Sequence, residues 1–105
     1  MLLKRVDQPG TSPKRRRLVE LGAVVDADDV FAGICAHSGL PMLGRVDPYG
    51  DLVLTAAEMP QLLGELETEL GRAAGATERA LLTEVRRLAE QCAAEAGTEL
   101  HLEGD

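Results

Sequence analysis

The sequence contains no tryptophan, and its only large aromatic side chains are Phe31 and Tyr49. A hydrophobic core must therefore be packed from leucine, valine, isoleucine, alanine and methionine. No apolar run approaches the roughly 18 residues of a membrane-spanning helix. The first charges follow a very short apolar patch, the reverse of a secretory signal, so we expect a cytoplasmic protein without a membrane partner.

The sequence also lacks the short motifs of common enzyme chemistries. It has no P-loop, no dinucleotide-binding glycine motif, no nucleophile elbow and no zinc-binding His-Glu-x-x-His. Cys35 and His37 are two positions apart on a predicted helix, so their side chains diverge by about 200° and cannot form a nucleophile and base. We therefore expect no enzyme activity, no catalytic residue and no cofactor.

Cysteine is scarce as well. Cys35 and Cys92 are the only two, they lie far apart, and each falls on the apolar face of a predicted helix. A reducing compartment disfavours a disulfide, and no Cys-x-x-Cys spacing indicates a metal site. We expect both thiols to be buried and unpaired.

Apolar patterns predict a single α+β domain over residues 1–105. Alternating or short apolar runs predict an N-terminal hairpin (residues 2–6 and 17–21), a hairpin over residues 42–54 and a C-terminal strand over residues 98–103. Together these strands would form a small antiparallel sheet packed against about three helices. A polar, proline-containing and basic segment, residues 7–17, is expected to be a flexible loop.

Apolar residues at helical spacing predict three helices, over residues 26–38, 56–71 and 78–96, with Asp26 as the N-cap of the first and Thr77 as the N-cap of the last. The second helix begins either after Thr55, which has capping-box spacing to Glu58, or at Pro60. In the hairpin, Asp47-Pro48-Tyr49-Gly50 predicts a tight turn in which Gly50 takes a positive φ. Gly97 is expected to end the last helix in the left-handed conformation.

The segments VDPYGDLVL (residues 46–54) and MPQLL (residues 59–63) resemble a stretch shared by small bacterial proteins of about this length. The end of the chain, EGD (residues 103–105), is similar as well. The resemblance covers about half of the chain. It implies that the hairpin and the final strand form a recurring unit, and it implies no activity.

A cation site is one alternative for the polar residues near that unit. Five side chains would approach one another if the final strand pairs beside the hairpin: Asp47, Asp51, His101, Glu103 and Asp105. Asp47 is already needed as the hydrogen-bond acceptor of the turn, and the Asp-x-Asp-x-Asp-Gly calcium loop is absent. We therefore predict no metal site.

Charge is distributed unevenly. Residues 1–17 hold six basic residues and one acid, net +5, whereas residues 18–105 hold five arginines and seventeen acids, net −12. Such asymmetry favours either a basic arm that contacts nucleic acid or an arm lying across its own acidic body. The nucleic-acid alternative would use Lys14, Arg15, Arg16 and Arg17, although no aromatic residue is interleaved among them to stack on a base.

The second predicted helix carries acids on the side opposite its leucine stripe. Glu65, Glu67 and Glu69 therefore predict an acidic surface, with Tyr49 and Asp51 on the neighbouring hairpin rim. The leading interpretation is a non-enzymatic protein-interaction module, immunity- or antitoxin-like or regulatory, that binds a basic protein. Nucleic-acid binding is the second, and a small enzyme or ligand-binding domain the third. A homo-oligomer and a merely solubilising acidic face stay open.

Overall fold

A computed structural model describes residues 1–7, 17–47 and 49–103. It confirms the α+β class, with one antiparallel sheet and three helices. The strands are β1 (Leu2–Asp7), β2 (Arg17–Ala23), β3 (Asp51–Thr55) and β4 (Thr98–Glu103). The helices are α1 (Val30–Ser38), α2 (Met59–Arg72) and α3 (Ala76–Ala94).

The sheet has the order β2-β1-β4-β3, so the first strand, β1, and the last strand, β4, lie side by side in its centre. All three pairings are antiparallel. Leu54, Leu100 and Leu3 are register partners in one row across three strands, and all three side chains are fully buried. This row is the sheet's contribution to the core.

The buried apolar residues form one cluster between the sheet and the helices. Each helix supplies an apolar stripe: Phe31 and Cys35 come from α1, Leu62 and Leu66 from α2, and Val85 from α3. Gly22 on β2 allows α3 to approach closely, since a Cβ at this position would lie 2.9 Å from Leu88 Cδ2. The opposite face of β4 carries Glu99 and His101, as the alternation of the strand predicts.

The predicted N-terminal hairpin is confirmed and is longer than expected. Asp7 and Arg17 are register partners at its far end, and the pairing continues to Leu2 and Ala23. Asp7 therefore belongs to β1 rather than to the predicted loop, and Arg17, which was predicted both as the end of the loop and as the start of a strand, belongs to β2. The prediction of a flexible loop otherwise falls on residues 8–16, which lie outside the described residues.

The predicted hairpin over residues 42–54 is wrong. Its second strand forms as β3 but pairs with β4, while Leu43–Arg45 is a short 3-10 turn. The backbone N–H groups of Met42 and Leu43 both donate to one carboxylate, that of Glu65. Successive N–H groups converge on one anion in a turn and point to opposite sides in a strand, so the turn excludes the strand.

The tight turn itself is present, because the N–H of Gly50 donates to the carbonyl of Asp47 and the N–H of Tyr49 donates to its carboxylate. Gly50 does not have the predicted positive φ; positive φ among the described glycines occurs at Gly39 and Gly97. A Cβ at Gly50 would instead lie 2.9 Å from Asp47 Oδ2. A larger residue here would therefore displace the Asp47 carboxylate, whereas backbone handedness sets no requirement for glycine.

Helix boundaries differ from the predictions by a few residues. Asp26 accepts hydrogen bonds from the N–H groups of Phe31 and Ala32, but a 3-10 turn over Ala27–Asp29 precedes α1. Thr77 is not the cap of α3, because the helix begins at Ala76, two residues before the predicted start, and Gly75 is its N-cap.

Thr55 donates its N–H to Glu58 as predicted, in a 3-10 turn over Ala56–Glu58 that leads into α2 at Met59. Pro60 therefore occupies the first turn of α2, where its missing N–H costs nothing.

Both cysteines are buried and unpaired, as predicted. Burial, reinforced by the nearby carboxylates of Asp26, Glu69 and Glu65, raises the pKa of the Cys35 thiol to about 12. Burial also raises the pKa of Cys92. The two side chains therefore act as small neutral core residues.

Two glycines should respond to alanine in opposite directions. Gly97 has φ +83°, so Gly97→Ala should destabilise the fold by about 1 kcal/mol or more through backbone strain. Gly64 lies inside α2 with open space around it, so Gly64→Ala should stabilise by up to about 1 kcal/mol. Urea unfolding of both variants measures the difference, and effects of the same sign would contradict the two backbone assignments.

Candidate functional site

The carboxylate of Glu65 lies inside the protein, with only 7% of the residue exposed. It accepts hydrogen bonds from Met42 N (3.0 Å), Leu43 N (2.8 Å) and Gln61 Nε2 (3.0 Å). Burial alone raises the pKa of this carboxyl, but the side-chain bond from Gln61 and the two backbone N–H groups outweigh burial and hold the pKa below its usual value. Glu65 is therefore a charged tether between α2 and the segment that follows α1.

Glu69, one turn later on α2, makes a second tether and is 8% exposed. It accepts hydrogen bonds from Ser38 Oγ (2.8 Å) and Arg72 Nη1 (3.0 Å). Arg72 also donates to the carbonyl of Ser38. The guanidinium thus supplies a hydrogen-bond donor to a carbonyl in the last turn of α1, where helical donors run out. The two carboxylates thus fasten both ends of the 38–43 connection to α2.

The predicted acidic surface on α2 is therefore wrong for two of its three residues. Glu65 and Glu69 are buried and accept hydrogen bonds from within the chain, while Glu67 is exposed and forms an ion pair with Arg86 of α3. The acids of this helix do not all lie opposite its leucine stripe, because residues 62, 65, 66 and 69 share one face at helical spacing. That spacing was visible in the sequence, but the backbone N–H partners of Glu65 were not.

A cleft with a volume of about 350 Å³ opens at the end of the sheet where β1 begins and β2 and β4 end. The first turn of α1 covers one side, and the segment before β3 covers another. Its apolar wall is formed by Leu2, Val24, Phe31, Val46 and Leu102. Four acidic residues line it as well: Asp26, Asp29, Asp47 and Glu103. We call this feature the acidic cleft.

The four carboxylates differ in how far they are already engaged. Asp26 holds the first N–H groups of α1, Asp47 accepts the N–H of Tyr49, and Glu103 is 3.5 Å from Lys4 Nζ. The carboxylate of Asp29 makes no hydrogen bond or ion pair within the described chain. The α-amino group of Met1 donates to the carbonyl of Val24 and adds one positive charge to the cleft. The formal charge of the lining is thus −3.

The backbone at one side of the acidic cleft is strained. Asp28 and Asp29 both have left-handed φ values, 59° and 53°, and they are the only non-glycine residues of the described chain with positive φ. Aspartate tolerates this region better than most residues, but each such residue still costs on the order of 1 kcal/mol. Asp29, whose carboxylate has no partner within the described chain, is one of the residues that line the cleft.

Large apolar side chains are exposed beside the acidic cleft. Val25 lines it and is 82% exposed, and Tyr49, two residues from Asp47, is 84% exposed. Asp51 is exposed at the start of β3, and its register partner is Glu103. Two of the sequence-predicted binding residues, Tyr49 and Asp51, are therefore accessible next to a cleft that the sequence did not reveal.

The residues considered for a cation do not converge. Asp47 and Glu103 share the acidic cleft, but His101 lies on β4 with its Nε2 3.2 Å from Glu99 Oε1, and Asp105 falls outside the described residues. Within residues 1–7, 17–47 and 49–103, no group of three or more potential ligands is placed to hold a metal ion. None of the described helices has the length and apolar character to cross a membrane.

Most basic side chains of the described body are engaged by acids. Arg45, Arg72, Arg86 and Arg87 form ion pairs with glutamates, and Lys4 lies near Glu103. Lys14, Arg15 and Arg16, three residues of the nucleic-acid alternative, lie outside the described residues. For the fourth, Arg17, the structure gives the backbone position in β2 alone.

No family model, curated protein or solved structure matches the chain. The resemblance of residues 46–54 and 59–63 to small bacterial proteins therefore stays a prediction. The chemistry of the acidic cleft must be read from its own residues. An apolar wall with carboxylates at its edge suits a long basic side chain, whose methylenes contact the wall while its charged head meets the carboxylates.

Removing the charge of Glu65 should change stability and its pH dependence. Glu65→Gln should cost about 1 to 3 kcal/mol at pH 7, because an amide cannot accept all the hydrogen bonds of a carboxylate. The folded pKa lies below the usual 4.5, so the stabilisation is present above that pH and is lost as pH falls through the folded pKa. The free energy of unfolding should therefore decline less on acidification in the variant than in the wild type.

Glu67→Gln is the matched control, since it removes the same charge from the exposed side of α2. Its unfolding free energy should stay within about 0.5 kcal/mol of the wild type. Urea unfolding between pH 7 and pH 3 measures both variants. Equal losses for Glu65→Gln and Glu67→Gln would show that the buried tether contributes nothing of its own.

Proposed function

We propose that this chain is a non-enzymatic protein-interaction module whose acidic cleft receives a basic side chain from an extended segment of another protein. The observation that carries the proposal is the combination of an apolar wall with Asp29, Asp47 and Glu103 in one cleft. A purely polar acidic face would serve solubility alone. A cleft that offers both surfaces complements the apolar stem and charged head of arginine or lysine.

Three further features support this proposal. The strained backbone at Asp28 and Asp29 has a cost that a merely solvated loop would not require. The exposed Tyr49 and Val25 beside the cleft provide the type of apolar contact that dominates binding energy in protein interfaces. The net charge of −12 over residues 18–105 would accelerate the encounter with a basic partner. An immunity- or antitoxin-like protein and a regulator of a basic protein would both use such a surface.

Nucleic-acid binding is the weaker proposal. The ion pairs of Arg45, Arg72, Arg86 and Arg87 leave little free positive charge on the described body, so phosphate contacts would rest on residues 14–17. A labelled single-stranded DNA titrated at several salt concentrations tests it. Binding that weakens steeply with salt and disappears on conversion of Lys14, Arg15 and Arg16 to serine would favour nucleic acid over the acidic cleft.

The acidic cleft can be tested without a known partner by using a fluorescein-labelled tetra-arginine peptide. Its anisotropy should rise on titration with the wild type at low salt. The double variant Asp29→Asn with Glu103→Gln should bind at least about 10-fold more weakly, because two carboxylates of the cleft are neutralised. Tyr49→Ser should weaken binding about 3-fold or more through lost apolar contact.

The matched control is Glu78→Gln with Glu95→Gln, which removes one charge from the first turn of α3 and one from the residue after its end, and neither residue lines the acidic cleft. It should change the affinity by less than about 2-fold, since distant surface charges are screened. Equal weakening by the cleft and control variants would mean that the peptide responds to overall charge. In that case the acidic cleft is not a binding site.

A further inference from the structure

We propose that the partner of the acidic cleft adds an extended segment to the free edge of β3 as a further strand, with an apolar residue opposite Val53 and a basic residue opposite Asp51. The inference rests on the proposed function, because it names the chemistry of the segment that the cleft receives. β3 lies at one edge of the sheet, whose strand order is β2-β1-β4-β3. Its outer side is therefore a place where a further strand can pair.

The hydrogen-bonding groups of β3 alternate between β4 and the free edge. Val6 N donates to the carbonyl of Gly97, directly before β4, so odd-numbered residues of β4 bond to β1 and even-numbered ones to β3. Even-numbered residues of β3 and β4 are register partners. The N–H and C=O groups of Asp51 and Val53 therefore point away from β4, and they have no backbone partner within the described chain.

Thr55 indicates the same direction and sets the length of the open edge. Its N–H donates to Glu58 Oε1 at 2.9 Å rather than to β4. The carboxylate of Glu58 thus occupies the position that a carbonyl of an added strand would take. Pairing is therefore limited to Asp51 and Val53, which can exchange four hydrogen bonds with two alternate residues of an antiparallel segment.

The open part of β3 lacks the usual features that prevent strand addition. No proline, lysine or bulge interrupts residues 51–54, and their register with β4 is continuous. At the other edge of the sheet, β2 pairs with β1 through an irregularity beside Lys4. Val53 is 41% exposed on the face opposite the core, so an apolar side chain opposite it would bury both side chains.

The charges at the start of β3 specify the residue opposite Asp51. Asp51 and Glu103 are register partners, and two carboxylates directly opposite one another destabilise a sheet. Lys4 Nζ lies 3.5 Å from Glu103 Oε1, whereas the exposed Asp51 carboxylate forms no ion pair within the described chain. A lysine or arginine across the free edge would supply the missing positive charge. A second copy of β3 has no basic residue to offer.

The direction of the added segment fixes the order of its residues. An antiparallel segment runs along β3 from Val53 towards Asp51, so its sequence reads apolar, any residue, basic. The residues that follow the basic one lead towards the turn that carries Asp47 and Tyr49. Asp47 lines the acidic cleft, and Tyr49 is exposed beside it. Strand addition therefore leads the segment towards the cleft.

Titration of the full chain with the acetylated peptide Thr-Val-Thr-Arg-Thr, followed by amide chemical shifts, tests the inference. In the proposed register the peptide's valine lies opposite Val53 and its arginine opposite Asp51. N-methylation of the valine amide removes a hydrogen bond to the edge and obstructs pairing, so the affinity should fall at least about 10-fold. N-methylation of the central threonine, whose N–H points away from β3, is the matched control and should change the affinity less than about 3-fold.

The side chains are tested with peptides of the same length. The wild type should prefer the arginine peptide over its glutamine analogue at least about 3-fold, and Asp51→Asn should remove most of that preference. Glu95→Gln, which removes one charge beyond the end of α3, should leave the preference unchanged. The reversed peptide Thr-Arg-Thr-Val-Thr has the same composition and should bind at least about 3-fold more weakly than the original.

Absence of peptide binding, equal effects of the two methyl groups, or equal effects of Asp51→Asn and Glu95→Gln would overturn the inference. So would self-association of the wild type in sedimentation equilibrium with concentration-dependent shifts at residues 51–53, because a second copy would then occupy the edge. If tetra-arginine binds the acidic cleft while the peptide fails these tests, strand addition fails and the proposed function stands. Strand pairing of the peptide without tetra-arginine binding would support the β3 edge and overturn the cleft.

Discussion

The hydrogen bonds from Met42 N and Leu43 N to the buried carboxylate of Glu65 fix the path of the chain between α1 and β3. Three hydrogen-bond donors compensate the free-energy cost of removing this charge from water. The buried carboxylate is therefore stable only if the segment turns towards α2 and brings its N–H groups to Glu65. The turn prevents residues 42–46 from joining the sheet. It also directs Val46 and Asp47 to the end of the sheet, where they complete the acidic cleft.

The acidic cleft follows from the way the sheet closes. The first and last strands lie side by side, and the apolar row of Leu3, Leu54 and Leu100 buries one face against the helices. At the end of that face the cleft is lined by the core residues Phe31 and Leu102, each only 3% exposed, together with the half-buried Leu2, Val24 and Val46. Carboxylates from three distant stretches of sequence surround this wall, so its charge is a product of tertiary structure.

The fold was largely predictable because its signals are periodic. Leu100 and Leu102 alternate with Glu99 and His101, and the observed β4 covers residues 98–103 as predicted. The hairpin over residues 42–54 failed because Met42 and Leu43 resemble a strand by composition, while their conformation is set by Glu65 more than twenty residues away.

The site was less predictable. Accessible Tyr49 and Asp51 follow from local turn chemistry, but Asp29 meets Asp47 and Glu103 only through the path of α1 over the sheet. The error on α2 is of a different kind, since helical spacing alone places Glu65 and Glu69 on the leucine face, and only the backbone N–H groups that Glu65 accepts had no local signal.

Amide chemical-shift mapping of the full chain with the tetra-arginine peptide tests the central claim most directly, because it locates binding residue by residue. The account predicts that the largest shifts fall on residues 24–32, on residues 47 and 49–51, and at the end of β4 around Glu103. Shifts concentrated on the exposed sides of α2 and α3 around Glu67 and Glu84, or spread evenly over all acids, would contradict it.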